Sequence, residues 1–149
     1  MQRTNAVVIA KIAPRSAREA LRFERFWLAC GFGFVLLVVY LSLCHDAPNP
    51  GRMFEIKIGH FVAYGWLMLW FSQIFAAAPT RLRFAAAFCL MGIVLEFVQG
   101  LTDYRTFAYS DMLDNGIGLS AALVLAQTRL GNGLAGVEAA LSRLMVRKR

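Results

Sequence analysis

The feature that most limits how this chain can fold is a set of four long apolar runs. A transmembrane helix needs about 20 mostly apolar residues, and four segments approach that length: residues 26–44, 58–78, 84–101 and 112–128. Apolar and polar residues do not alternate along these runs, which disfavours a β-barrel. Only 17% of the residues are charged, whereas soluble domains have about 25%. The sequence therefore predicts an all-α integral membrane bundle of four transmembrane helices.

The segments that flank this membrane domain, residues 26–130, are both basic. Residues 1–25 form a basic N-terminal segment, and residues 131–149 form a basic tail. The tail carries apolar residues at helical spacing, namely Leu134, Val137, Leu141 and Leu144. This pattern predicts an amphipathic helix on an anionic membrane surface, with a solvated tail as the alternative.

The distribution of lysine and arginine predicts the orientation of the chain. Thirteen of the 16 basic residues fall in the N-terminal segment, the turn between the second and third runs, and the residues that follow the fourth run. The opposite side holds only Arg52, Lys57 and Arg105. Cytoplasmic loops are the more basic ones, so both termini are expected in the cytoplasm. This topology accounts for the net charge of +7, and no nucleic-acid partner is predicted.

Polar residues that are unusual in membrane helices lie at the outer ends of the last three runs. They are Lys57, His60 and Tyr64 at the start of the second run, Glu96 and Gln99 at the end of the third, Arg105 in the following loop, and Asp111 and Asn115 at the start of the fourth. Within each run, the spacing of three, four or seven residues places them on one helix face. Three polar stripes are therefore expected to meet in one outward-facing cleft.

Each of the three candidate catalytic residues, His60, Glu96 and Asp111, has two interpretations. Glu96 is costly inside a membrane, so it has either a functional role or a hydrogen bond between helices. His60 is either a donor to a backbone carbonyl or a general acid and base. Asp111 follows Ser110 at a helix start, so an N-cap role is expected for one of that pair, with a second role for Asp111 acting through Asn115.

The candidate substrate-binding residues are Lys57, Tyr64, Gln99, Arg105 and Asn115. The two cations either pair with neighbouring acids at the surface, where such bridges contribute little, or hold a phosphate, which arginine grips bidentately. No cofactor or metal site is predicted, because the three candidate metal ligands come from separate helices without a short ligand motif. No disulfide is predicted among the three cysteines.

These residues together resemble the VanZ-like family. The resemblance depends on K-x-x-H-F-x-x-Y from Lys57 to Tyr64, E-x-x-Q at Glu96 and Gln99, Arg105, and D-x-x-x-N-x-x-G from Asp111 to Gly118. It implies a small multi-spanning protein of the bacterial cell envelope, located in the cell inner membrane. The name-giving member of the family is associated with tolerance to the glycopeptide antibiotic teicoplanin, and relatives occur beside envelope polysaccharide genes.

Two functions are therefore expected as alternatives. In the first, the polar site binds or handles a polyprenyl-phosphate-linked envelope precursor or another membrane lipid, with Lys57 and Arg105 on phosphate and His60 with Glu96 moving a proton. In the second, the protein is a non-catalytic accessory or scaffold that contacts an envelope synthase or transporter. The sequence does not decide whether the protein is an enzyme.

Overall fold

The structure, a computed structural model, describes residues 21–44, 58–103 and 107–147. These residues form five α-helices, one short 3₁₀ helix and no strand, so the predicted all-α class is confirmed. The helices are α1 (Glu24–Leu43), α2 (Ile58–Ile74), α3 (Ala78–Gly100), α4 (Tyr109–Leu125) and α5 (Gly133–Arg147), with the 3₁₀ helix at Arg129–Asn132. Lys57, Arg105 and residues 1–20 of the basic N-terminal segment lie outside the described residues.

Two of the helices have the length and composition of membrane spans. They are α1, with 20 residues, and α3, with 23. The helix α1 exposes large apolar side chains, including Leu36 (70% exposed) and Tyr40 (64% exposed). An apolar surface of this kind is unusual on a soluble monomer, which agrees with association of the protein with a membrane.

The central element of the bundle is α2, which contacts α1, α3 and α4. Its residues Tyr64, Leu67, Met68 and Phe71 are almost completely buried, and Phe88 of α3 with Leu119 and Ala122 of α4 completes the core. The closest helix contact is between α2 and α4. A β-carbon on Gly118 would lie 2.3 Å from the carbonyl oxygen of Phe61, so only glycine permits this approach of the two backbones.

The end of α2 is fixed by a residue of the next helix. Arg81 donates hydrogen bonds to the carbonyl oxygens of Ser72 (2.7 Å) and Phe75 (2.8 Å), which satisfies carbonyl groups that the end of a helix leaves unpaired. Pro79 stands in the first turn of α3, where its missing N–H has no cost. The chain therefore reverses tightly, and α2 and α3 run in opposite directions.

The C-terminal tail forms the helix α5, whose first turns dock on the bundle. Leu134 packs with Leu21 and Ile74, and its N–H donates to Oε1 of Gln73 at 3.0 Å. The apolar residues further along α5 are exposed, namely Val137, Leu141 and Leu144. The helix is thus anchored at its start and presents an apolar surface beyond it.

Candidate functional site

Three helix ends meet at one end of the bundle, because α2, α3 and α4 alternate in direction. His60 lies in the first turn of α2, Glu96 in the last turns of α3, and Asp111 in the first turn of α4. One nitrogen or oxygen atom from each of these side chains lies within 4.8 Å of the others. The structure therefore brings together His60, Glu96 and Asp111, which we call the polar cluster, as the helical spacing predicted.

His60 and Asp111 form the more accessible side of the polar cluster. The distance from His60 Nδ1 to Asp111 Oδ2 is 3.6 Å, and the side chains are 25% and 16% exposed. This separation is longer than a hydrogen bond but short enough for strong attraction when the imidazole is protonated. The pair can therefore help to hold the ring of His60 in place when the imidazole is protonated.

Glu96 forms the buried side of the cluster, with only 2% of its surface exposed. Its Oε1 atom accepts a hydrogen bond of 2.7 Å from the N–H of Ala108, which is the residue before α4. Glu96 thus ties the end of α3 to the start of α4. It does so without pairing with a lysine or arginine of the described residues.

The prediction that Ser110 or Asp111 caps the start of α4 is wrong. The helix α4 begins at Tyr109, Ala108 occupies the cap position, and no side chain caps it. Ser110 and Asp111 already have helical backbone, so they lie past the position from which a side chain caps a helix. The hydroxyl of Ser110 instead donates to Oδ1 of Asp111 at 3.0 Å. Asp111 does lie in the first turn, where a negative charge interacts favourably with the helix dipole.

Asn115 lies one turn deeper than the polar cluster. It is 3% exposed, and its Oδ1 atom has no hydrogen-bond partner among the described residues. A β-carbon on Gly92 would meet Asn115 Nδ2 at 2.7 Å, so the asparagine amide fills the space that Gly92 leaves on α3. Gly92 was not among the predicted site residues, although its position four residues before Glu96 places both on one face of α3.

Two other predicted substrate-binding residues have roles inside the fold. Tyr64 belongs to the buried hydrophobic core, and its ring contacts the Gly92 position. Gln99 is also buried, and its Nε2 donates to the carbonyl oxygen of Ser42 in α1 at 2.7 Å. These contacts hold three helices together near the cluster. Contact of Tyr64 and Gln99 with a substrate stays a prediction.

Lys57 and Arg105 are the predicted site residues that lie outside the described residues. Their sequence positions place Lys57 directly before α2 and Arg105 within the connection between α3 and α4.

Sequence reasoning missed a second buried carboxylate, Glu138 of α5. Its two oxygens accept hydrogen bonds from the backbone N–H groups of Arg22 (2.7 Å) and Phe23 (2.9 Å) and from Nε1 of Trp27 (2.8 Å). Its sequence signal is that it is the one acidic residue among residues 131–149. These contacts fix the start of α1 to the tail, at the end of the bundle opposite the polar cluster.

Comparison with known proteins gives one relative of similar sequence and no family. The uncharacterized protein C11E3.10 of Schizosaccharomyces pombe is 30% identical to this chain over 95 residues, which is 62% of this chain and 59% of that protein. The chain therefore spans about three fifths of the relative's length. No family model matches, and no solved structure matches.

Proposed function

We propose that this chain is a VanZ-like membrane protein whose polar cluster, together with Lys57 and Arg105, binds a phosphorylated lipid-linked envelope precursor. The observation that carries the proposal is the convergence of His60, Glu96 and Asp111 from three helices at one end of the bundle. Polar and ionisable side chains within membrane helices are expensive and mark ligand or proton sites. The family resemblance connects such a site to glycopeptide tolerance or to polysaccharide assembly.

In this proposal the protein has four membrane spans, α1 to α4, and lies in the cell inner membrane. The helices α2 and α4 have 17 residues each, or about 25 Å at 1.5 Å per residue, which is near the lower limit for a span. The excess of basic residues on one side supports a cytoplasmic location for both termini. The polar cluster then faces outward, where an envelope precursor presents its headgroup.

The charge of the cluster defines what else the site needs. Glu96 and Asp111 are acidic, so the described part of the site repels a phosphate unless cations accompany it. Lys57 and Arg105 are two of the three basic residues on the outer side, and the guanidinium of arginine is suited to bidentate binding of phosphate. We therefore assign the phosphate to these two residues and the remaining headgroup to the polar cluster.

Acid and base chemistry is the further capability of this arrangement. Asp111 can orient the imidazole of His60, and Glu96 lies close enough to exchange a proton with a group bound between them. His60 changes charge near neutral pH, which suits a general acid or base. The proposed handling of the precursor includes this proton transfer.

The binding experiment uses the purified full chain in detergent and native mass spectrometry. We expect the protein to retain undecaprenyl phosphate but not uncharged undecaprenol, and we expect Lys57→Ala and Arg105→Ala to weaken retention at least tenfold. Arg83→Ala is the matched control, because Arg83 is basic and exposed but lies in the first turns of α3. Equal retention of both lipids would contradict the proposal.

Cysteine labelling in intact cells tests the orientation. In a background without Cys30, Cys44 and Cys89, we expect a membrane-impermeant maleimide to label a cysteine at position 105 and not one at position 83. The other arginine of this turn, Arg81, is left in place because it donates hydrogen bonds to carbonyl oxygens at the end of α2. The reverse labelling pattern would contradict the outward-facing site.

A second function, an accessory role beside an envelope synthase or transporter, is favoured by one observation. Glu96 and Gln99 both have structural partners, Ala108 and Ser42, so the polar residues also work as a network that holds the helices. An accessory role predicts that His60→Ala reduces expression of the protein or capture of its partner. A handling role predicts that this variant folds, assembles and loses function.

A further inference from the structure

The spacing of donor atoms in the polar cluster suits a metal ion. A tetrahedral ion with bonds of about 2.0–2.2 Å holds its ligand atoms about 3.4 Å apart, and His60 Nδ1 lies 3.6 Å from Asp111 Oδ2. One ligand atom of Glu96 lies within 4.8 Å of both. The terminal torsion of a carboxylate is broad, so small rotations of the Glu96 and Asp111 carboxylates can adjust the remaining separation. No short sequence motif indicates these three ligands, because each comes from a different helix.

The surroundings of Glu96 also call for a cation. Only 2% of the surface of Glu96 is exposed. Among the described residues it accepts one hydrogen bond, from the N–H of Ala108. A buried carboxylate beside a second one is unfavourable unless it is paired. A divalent ion between the two carboxylates removes this repulsion and uses His60 as its neutral ligand.

Asn115 supplies an independent observation beneath the cluster. Its buried Oδ1 atom has no partner among the described residues, although buried polar atoms usually have one. On α4 it follows Asp111 by one turn, and on α3 its amide lies at Gly92, one turn before Glu96. An unsatisfied acceptor at this position is suited to a water molecule bound to the ion.

We infer that His60, Glu96 and Asp111 bind one divalent transition-metal ion. One imidazole and two carboxylates match Zn²⁺, which at reactive sites has three protein ligands and one open position, whereas the histidine disfavours Mg²⁺ and Ca²⁺. The open position would take a phosphate oxygen of the lipid-linked precursor. This last step rests on the proposed function, but the metal site itself does not.

Equilibrium dialysis of the chelator-treated full chain in detergent tests the metal site. The probe is Zn²⁺ alone, with Mg²⁺ for comparison, and bound metal is measured by elemental analysis. We expect about one Zn²⁺ per chain, and loss of this equivalent in Glu96→Gln and in His60→Ala. Asp114→Asn is the matched control, since Asp114 is an acidic residue on the same helix, outside the cluster. If Glu96→Gln fails to fold, His60→Ala decides, because His60 is partly exposed.

The outcomes separate the metal site from the proposed function. Absence of bound Zn²⁺, or an equal loss in Asp114→Asn, overturns the metal site. Retention of undecaprenyl phosphate is then measured with and without Zn²⁺. Tenfold stronger retention with Zn²⁺ supports binding of the phosphate at the open position of the ion. Unchanged retention overturns that binding step and leaves the proposed function standing. Bound Zn²⁺ without any retention of the lipid supports the metal site and contradicts the proposed function.

Discussion

Glu96 and Glu138 are both buried glutamates, but they lie at opposite ends of the bundle and have opposite surroundings. Glu138 is 9% exposed and accepts hydrogen bonds from three N–H groups of residues 22–27. Glu96 is 2% exposed and accepts one, from Ala108, while the carboxylate of Asp111 lies nearby. The same side chain therefore accepts three hydrogen bonds in one place, and in the other it accepts one and has a second carboxylate and a histidine beside it.

This difference separates a structural carboxylate from a candidate ligand. Hydrogen bonds from N–H groups to a carboxylate are charge-assisted and strong, so Glu138 is stabilised by the chain itself. Glu96 has far less internal compensation, and its burial lowers the stability of the fold unless something else binds there. A buried polar group with few hydrogen-bond partners is expected at functional sites rather than in the scaffold.

Loss of Glu138 should have the largest effect on stability. In Glu138→Ala, the N–H groups of Arg22 and Phe23 and the indole of Trp27 lose their acceptor in partly buried surroundings. A fully buried unpaired donor costs about 1–3 kcal/mol, and a partly buried one costs less. Because such losses are not additive, we expect the free energy of unfolding to fall by about 3 kcal/mol. The measurement is unfolding in mixed detergent micelles, followed by circular dichroism.

Glu138→Gln is the control for this prediction. The amide keeps an oxygen acceptor, so we expect a smaller loss than in the alanine variant. Equal stability of Glu138→Ala and the unchanged protein would show that these hydrogen bonds do not hold the tail, and the contrast with Glu96 would disappear.

The contact between α2 and α4 should have the next largest effect. In Gly118→Ala, the new methyl group would lie 2.3 Å from the carbonyl oxygen of Phe61, and overpacking of this kind costs about 1–3 kcal/mol. Separation of these helices also moves His60 away from Asp111. We expect the free energy of unfolding to fall by about 2 kcal/mol and binding at the polar cluster to weaken.

Gly116→Ala tests whether this effect comes from the contact rather than from the loss of a glycine. No atom lies within 4 Å of the added carbon, and alanine favours a helix by up to about 1 kcal/mol over glycine. We expect unchanged or increased stability. A similar loss in both variants would contradict the close-contact explanation.

The helices and the polar cluster were predictable because both follow from local periodicity. Apolar runs fix which segments are helical, and spacing within each run fixes the face on which His60, Glu96 and Asp111 lie. The alternating direction of successive helices then places the three residues at the same end of the bundle.

The partners of buried polar groups were not predictable from the same pattern. Periodicity does not predict contacts that depend on tertiary packing. Examples are the contacts from Glu138 to residues 22–27, from Gln99 to Ser42 and from Arg81 to the end of α2. The predicted N-cap failed for a related reason. Periodicity did not reveal that α4 begins at Tyr109 with Ala108 in the cap position, or that Glu96 accepts a hydrogen bond from the N–H of Ala108.

Glu96→Gln should have the smallest effect on stability, and it is the sharpest test of the comparison. Glutamine keeps the shape of the side chain and an oxygen that accepts the Ala108 N–H, so we expect the free energy of unfolding to change by less than about 1 kcal/mol. Its neutral amide, however, neither compensates a cation nor binds a metal ion as a carboxylate does.

The variant should therefore insert in the membrane and purify at near the yield of the unchanged protein, yet fail to restore the phenotype of a strain that lacks the protein. Glu96→Leu provides the contrast, because leucine cannot accept the Ala108 N–H and leaves that buried donor unpaired, which lowers yield as well as function. If Glu96 is only a structural residue like Glu138, glutamine should support nearly normal function, and only leucine should be harmful. Full complementation by Glu96→Gln would thus assign both glutamates to the scaffold and favour the accessory role over a ligand-binding site.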